Sequence, residues 1–218
     1  MTFETKYVAP PGRARALLER LQRGFPADGE FPENRVHSVY FDTPSLDAMA
    51  EVDNGDFRKE KVRVRWYEDG SLASPVFLEC KRKEGVRRAK ERILLDDFDP
   101  RVPLHHPKWL SIPSLLREKD GLPRSGLLEP VLHVTYRRHR FTEPSSGLRL
   151  SLDHEIRAAR VHPRRAAAAP LSSRPSPLSV FEIKGKRRDL PSCLRFVREL
   201  GARRRAFSKY GLWIDLFR

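Results

Sequence analysis

Apolar and charged residues alternate with a period of two along much of this chain. Across residues 61–67, Val62, Val64 and Trp66 fall on one side of an extended backbone, and Lys61, Arg63, Arg65 and Tyr67 on the other, because successive side chains of a strand point to opposite faces. Residues 76–83 repeat the arrangement, with Val76, Leu78 and Cys80 opposing Phe77, Glu79, Lys81 and Lys83, and Asp69-Gly70 offers the turn between the two runs. Similar patterns, rich in β-branched and aromatic residues, predict strands over 3–8, 36–42, 90–95, 131–141, 148–156 and 178–186, about eight in all. Eight strands suffice to close a barrel. The fold expected is therefore mainly β, a closed eight-stranded antiparallel β-barrel with flanking helices.

Between the strands the period changes. Pro10-Pro11 cannot continue a ladder, and Leu17, Leu18 and Leu21 follow at helical spacing. Thr43-Pro44-Ser45 closes the second strand and leads into a short helix-like stretch to Ala50. Leu110, Ile112, Leu115 and Leu116 mark a helical insert over 109–119, and Leu194, Val197 and Leu200 mark a helix after Pro191-Ser192. Residues 160–177, with many alanines, prolines, serines and arginines, read as a flexible loop. A closed all-β architecture of 218 residues usually forms one domain, so residues 1–218 are expected to form a single domain.

Charge changes what the strand faces mean. Lysine and arginine number 43 against 29 aspartates and glutamates, a formal charge of +14, which points to an anionic partner. A charged strand face ordinarily meets water. Here arginine and lysine alternate with single acids over most strands: Glu4/Lys6, Arg63/Arg65, Glu79/Lys81, Lys90/Arg92, Arg149/Asp153 and Glu182/Lys184/Lys186. If helices cover the apolar side, the charged side faces inward, where such cations need an anionic guest. The planar fork of arginine and the point charge of lysine match phosphate oxygens. Carboxylates beside phosphates need a hard divalent cation, Mg²⁺ or Mn²⁺, to bridge them. Glu182 leads those candidates, followed by Glu4, Glu79, Asp153 and Glu155.

These residues, taken in order, resemble the VTC domain, the polyphosphate-polymerase-like branch of the CYTH or triphosphate tunnel metalloenzyme superfamily. The resemblance rests on Glu4-Thr5-Lys6-Tyr7, Ser38-Val39-Tyr40-Phe41-Asp42-Thr43, Lys61-Val62-Arg63-Val64-Arg65-Trp66-Tyr67 and Leu78-Glu79-Cys80-Lys81. It continues through Lys90-Glu91-Arg92, Tyr136-Arg137-Arg138, Arg149-Leu150-Ser151-Leu152-Asp153, Phe181-Glu182-Ile183-Lys184 and Ser208-Lys209-Tyr210. It implies an eight-stranded tunnel that binds ATP and, in polymerase members, transfers its terminal phosphoryl group to a growing polyphosphate chain. Arg63 and Arg65, with Lys81 and Lys209, are then expected at the transferring phosphates. Lys6, Lys61, Lys90, Arg92, Arg138, Arg149 and Lys184 are expected along the rest of the path, with Glu182 on the metal. Such chemistry needs no covalent nucleophile, since phosphoryl transfer rests mainly on positioning and charge stabilisation.

Many tunnel triphosphatases open with two alternating glutamates before the lysine, whereas Thr2 precedes Glu4 and Lys6 here, which weakens a hydrolase reading. A tunnel-type triphosphatase and a non-catalytic polyphosphate- or nucleotide-binding module are the alternatives. Specific nucleic-acid binding ranks lower: the clusters Arg82-Lys83, Arg87-Arg88, Arg164-Arg165 and Arg203-Arg204-Arg205 lack any recognition motif around them. No apolar run approaches the roughly 20 residues of a membrane span, and no apolar signal core is present, so a cytoplasmic location is expected and membrane-coupled export is not implied. Cys80 and Cys193 read as reduced structural thiols, and His133 and His139 as structural histidines. By alternation Tyr40, Tyr67 and Tyr136 either reach the charged face, where a phenol donates to phosphate, or pack in the core or rim. Trp66 and Trp213 are assigned to packing.

Overall fold

The computed structural model describes residues 3–68, 74–116, 127–161, 172, 174–187 and 189–214. Nine strands are present among them: β1 (Phe3–Ala9), β2 (Glu33–Asp42), β3 (Arg58–Glu68), β4 (Phe77–Glu84), β5 (Arg87–Leu94), β6 (Glu129–Glu143), β7 (Leu148–Arg160), β8 (Ser179–Gly185) and β9 (Arg203–Arg204). They form one antiparallel sheet in the order β5-β4-β3-β2-β6-β7-β8-β1-β9. The expected closed eight-stranded barrel is therefore corrected. All eight predicted strands form, but a ninth, only two residues long, pairs with β1 through Tyr7 opposite Arg204, and the order runs from β5 at one end to β9 at the other without closing.

The predicted helices also form, in shorter pieces: α1 (Ala14–Gly24), α2 (Asp47–Asp53), α3 (Pro107–Ser111) and α4 (Phe196–Glu199), and a further helix, α5 (Lys209–Ile214), follows. A 3-10 turn over Ile112–Leu116 continues α3, consistent with Pro113, which cannot donate an α-helical hydrogen bond. Helix α5 is an addition, because Ser208-Lys209-Tyr210-Gly211 carries no apolar stripe. Among the described residues no helix is long and apolar enough to cross a membrane. The Asp69-Gly70 turn and the Trp213 side chain lie outside the described residues, as does most of 160–177. Of that stretch, the Ser172 and Ser176 amides donate to the Ala158 and Ile156 carbonyls of β7.

The chain divides into two compact units. The first comprises residues 1–36, 135–157 and 174–207. Its apolar strand faces gather Tyr7, Leu150, Leu152, Phe181 and Ile183, with Leu17 and Leu21 of α1 in the same core. Burying Leu17 and Leu21 fully is worth roughly 1.5–3 kcal/mol each, enough to hold an 11-residue helix against them. The second unit comprises residues 37–134, 158–173 and 208–218. Its core joins Val39, Phe41, Val62, Val64, Trp66, Leu78 and Cys80 to Trp109, Ile112 and Leu116 of the helical insert. Trp109 is fully buried and meets Phe98 edge-on, with ring centroids 4.8 Å apart. Trp66 packs in this core, as its alternation predicts.

Turn chemistry fixes the register of the β4–β5 hairpin. Glu84 pairs with Arg87 across a two-residue loop, and Gly85 sits at φ +56°, the left-handed region that such loops require. Glu79 consequently lies opposite Arg92, and the β3–β4 pairing sets Arg63 opposite Glu79.

Candidate functional site

Burying Val62, Val64, Leu78 and Cys80 in the second core leaves the intervening residues of β3 and β4 on the other face of the sheet. Register places Lys61 opposite Lys81, and Lys81 opposite Lys90, in the same face as Arg63, Glu79 and Arg92. Glu79 is the organising group of this cluster. It is 1% exposed, and its Oε2 accepts from Arg63 Nε at 2.9 Å and Nη2 at 2.6 Å. Its Oε1 meets Lys90 Nζ at 2.7 Å and Arg92 Nε at 3.6 Å. Burial, the largest influence, pushes the Glu79 carboxyl up, but Arg63, Arg65 and Lys90 more than reverse it and hold the group well below the usual carboxylate range.

Arg63 is gripped from its other side by Tyr40 of β2, whose hydroxyl accepts from Nη1 at 3.2 Å. Arg65, equally buried, donates through Nε and Nη2 to Ser38 Oγ, each at 3.0 Å. Two neighbouring guanidinium groups are thereby fixed in rotamer, which is the preorganisation that bidentate anion recognition needs. Lys61 Nζ donates to Ser208 Oγ at 2.8 Å, and Arg92 stacks 3.3 Å over the Phe77 ring.

A second lock lies at Asp42. Its Oδ1 accepts from the Thr43 and Ala48 amides, both at 2.8 Å, and its Oδ2 accepts from the Met49 amide and the Tyr210 hydroxyl. It thus anchors the start of α2 and, through Tyr210, the helix α5 that begins with Lys209. Tyr210 stacks on Tyr40 with ring centroids 5.2 Å apart. The Tyr40 phenol reports the local potential. Burial, again the largest influence, raises it, yet Arg63, Arg65 and Lys209 together bring it down to about 7. The three cationic side chains outweigh the cost of burying a phenolate there.

In the first unit a parallel arrangement is built on β1, β6, β7 and β8. Register puts Glu4 opposite Lys184, Lys6 opposite Glu182, and Arg149 opposite Lys184. Glu182 is 5% exposed and meets Lys184 Nζ at 2.7 Å and Lys6 Nζ at 3.9 Å. Lys6 also contacts Glu4 at 3.2 Å and donates to the Phe207 carbonyl. Arg138 forms a fork-to-fork pair with the fully buried Asp153, Nε to Oδ1 at 2.6 Å and Nη2 to Oδ2 at 2.7 Å. Burial raises the Glu182 carboxyl, but Arg138, Lys184 and Lys6 overcome it and hold it at about 2. Arg149 is exposed beside them. Tyr136 is buried, with the Arg138 guanidinium 5.4 Å from its ring centre.

The fifteen predicted site residues thus fall into these two clusters. Lys61, Arg63, Arg65, Glu79, Lys81, Lys90, Arg92 and Lys209 belong to the second unit, and Glu4, Lys6, Arg138, Arg149, Asp153, Glu182 and Lys184 to the first. The four leading metal candidates do not fit a preformed metal cage. Among the described residues no three acidic, histidine or cysteine side chains converge as ligands, and Glu4, Glu79, Asp153 and Glu182 each already hold a cationic side chain. Glu155, the lesser candidate, sits at φ +52° inside β7 and turns to Arg35 and Arg137, at 3.6 and 3.7 Å.

The sequence reading passed over Ser38, Asp42 and Ser208 as site residues and left Tyr40 undecided. Their shared signal is position: Ser38, Tyr40 and Asp42 alternate on β2 with the core residues Val39 and Phe41.

Comparison with known proteins bears on this arrangement. The sequence matches the VTC domain over residues 1–217. No curated protein matches it. A candidate adenylate cyclase from Bacillus halodurans superposes with a TM-score of 0.58 at 13% identity, covering 95% of this chain and 94% of that one. A candidate adenylate cyclase from Vibrio parahaemolyticus gives a TM-score of 0.47 at 15% identity, over 91% and 84% of the two chains. At such identity the first likeness is one of fold alone.

Proposed function

This chain belongs to the VTC domain family, and from that premise we propose that it binds ATP and polyphosphate on its cationic strand faces and transfers the terminal phosphoryl group of ATP to a polyphosphate chain. The observation that carries this reading is the pair of buried guanidinium groups, Arg63 and Arg65, each oriented by a neighbouring strand, with Arg63 also bonded to the buried Tyr40 hydroxyl. Phosphoryl transfer asks for fixed cations around the equatorial and bridging oxygens rather than for a nucleophile, and prepaid orientation is what makes such cations effective. In this reading Arg63 and Arg65 act at the transferring phosphates with Lys81 and Lys209. Lys61, Lys90 and Arg92 neutralise adjoining phosphates, and Lys6, Arg138, Arg149 and Lys184 offer phosphate contacts within their own unit. Glu79, Asp153 and Glu182 hold these cations in place. A divalent cation, Mg²⁺ or Mn²⁺, is expected as a co-reactant of the nucleotide.

The test is to incubate the protein with ATP and Mn²⁺ or Mg²⁺, with and without a polyphosphate primer, and to follow polyphosphate, ADP and free phosphate together. Polyphosphate growth matched by ADP is expected. Arg63→Ala should lower turnover by about 10²-fold or more, the scale for removing one charge-stabilising donor. Free phosphate alone would replace transfer by triphosphatase activity, and binding without product would leave a binding module. Full turnover by Arg63→Ala would overturn the assignment of Arg63.

A further inference from the structure

The Tyr40 hydroxyl occupies an unusual position for a buried phenol. Its oxygen accepts a hydrogen bond from Arg63 Nη1 at 3.2 Å, with the guanidinium carbon 5.8 Å from its ring centre. Arg65 stands two residues along β3, and the charge of Lys209 on α5 adds to theirs at the phenol. The carboxylates nearby are otherwise engaged. Asp42, two residues along β2, is saturated by the Thr43, Ala48 and Met49 amides and by Tyr210, and Glu79 lies on the far side of Arg63. Tyr210, the ring stacked on Tyr40, donates its own hydroxyl to Asp42. Ser38 takes both of its contacts from Arg65.

We propose that Tyr40 is the proton-exchanging group of the arginine site, so that a phosphate chain engaging Arg63 and Arg65 returns a proton to the Tyr40 oxygen. The inference rests on the phosphate-binding reading above and adds to it a coupling between binding and protonation. In the ligand-free protein the hydrogen bond from Arg63, with the charges of Arg65 and Lys209, favours the phenolate form of Tyr40. A bound phosphate chain brings several negative charges to those cations and cancels the potential that kept the proton off. The phenolate oxygen then takes one proton from solvent, with no electron transfer and no other bond made or broken. The hydrogen bond from Arg63 becomes available to phosphate, and the new O–H is a donor that phosphate oxygen accepts. Linkage fixes the consequence: a ligand whose binding takes up a proton loses affinity about tenfold per pH unit above the free-state value, until the bound-state value is reached.

The experiment is calorimetry of the whole protein with inorganic tripolyphosphate at about pH 8, in two buffers of different ionisation enthalpy, for wild type and Tyr40→Phe. A phenolate difference spectrum of the wild type, with and without tripolyphosphate, accompanies it. About one more proton is expected to enter per ligand bound in wild type than in Tyr40→Phe, together with loss of phenolate absorbance on binding. Comparison with the variant removes the titration of the ligand's own phosphates. Equal uptake in the two proteins, or binding that leaves the phenolate spectrum unchanged, overturns the coupling while leaving phosphate binding intact. No binding by wild type overturns both readings. The spectrum needs only wild type, so a variant that fails to fold does not blunt the test.

Discussion

Glu79→Gln keeps the volume of the side chain and one acceptor oxygen but removes the charge shared by Arg63, Lys90 and Arg92. The Arg63 and Glu79 side chains are 10% and 2% exposed, so theirs is a buried ion pair, and removing one partner of such a pair costs about 3–5 kcal/mol. Lys90 and Arg92 are 48% and 41% exposed, so each of their pairs is screened to at most about 1 kcal/mol. With a urea slope of about 3 kcal/mol/M, the loss appears as a fall of roughly 1–1.7 M in the denaturation midpoint. The pH dependence carries a sign. Glu79 is held below its ordinary value of 4.5, so its contribution is fully present above about pH 4.5 and fades as pH falls toward the folded-state value. The gap between wild type and variant should therefore be constant from neutrality down to about pH 4.5 and narrow below it. Urea titrations at a series of pH values measure this directly. A Glu79→Gln midpoint within about 0.3 M of wild type at neutral pH, or a gap that persists unchanged in acid, would refute Glu79 as the organiser of these cations.

Two further outcomes follow. Burial, then His37, lowers His133 to about 3, where it stacks against both His37 and Trp66. Wild-type stability should thus fall as pH drops from about 6.5 toward 3, because the unfolded chain takes a proton that the folded one refuses. His133→Gln should flatten that slope in urea midpoints, and an unaltered slope would exclude His133 as its source. Cys193 is exposed, whereas Cys80 is buried and its thiol is pushed up to about 12 by burial and by Glu60. An aromatic disulfide reagent should label one thiol promptly in the native protein and the second only in denaturant, and prompt labelling of both would contradict the packing around Cys80.

Much of this architecture was legible in the alternation of the chain. Val62, Val64 and Trp66 had to share one face and Arg63 and Arg65 the other, since side chains of a strand alternate whatever lies across from them. The resemblance to the VTC domain was legible for the same reason, as most of its motifs lie along single strands. Two things were not legible. Closure of the sheet depends on pairing between its end strands, which no local period encodes, and β5 and β9 end an open order instead. The partners of the acids were not legible either, because a lone glutamate among lysines and arginines reads equally as a metal ligand or as an arginine anchor. Only register decides, and it sets Glu79 between Arg63 and Arg92, and Glu182 beside Lys6.

Tyr40 shows the division most clearly. Sequence placed its ring on β2 beside Ser38 and Asp42, but its acidity depends on Arg63, Arg65 and Lys209, contributed by β3 and α5. The sequence by itself determined which residues face together along each strand, because that is local backbone geometry. Tertiary structure alone decided which charges meet across strands, and so which groups hold protons, because Coulomb energies fall with distance through space and take no account of separation along the chain.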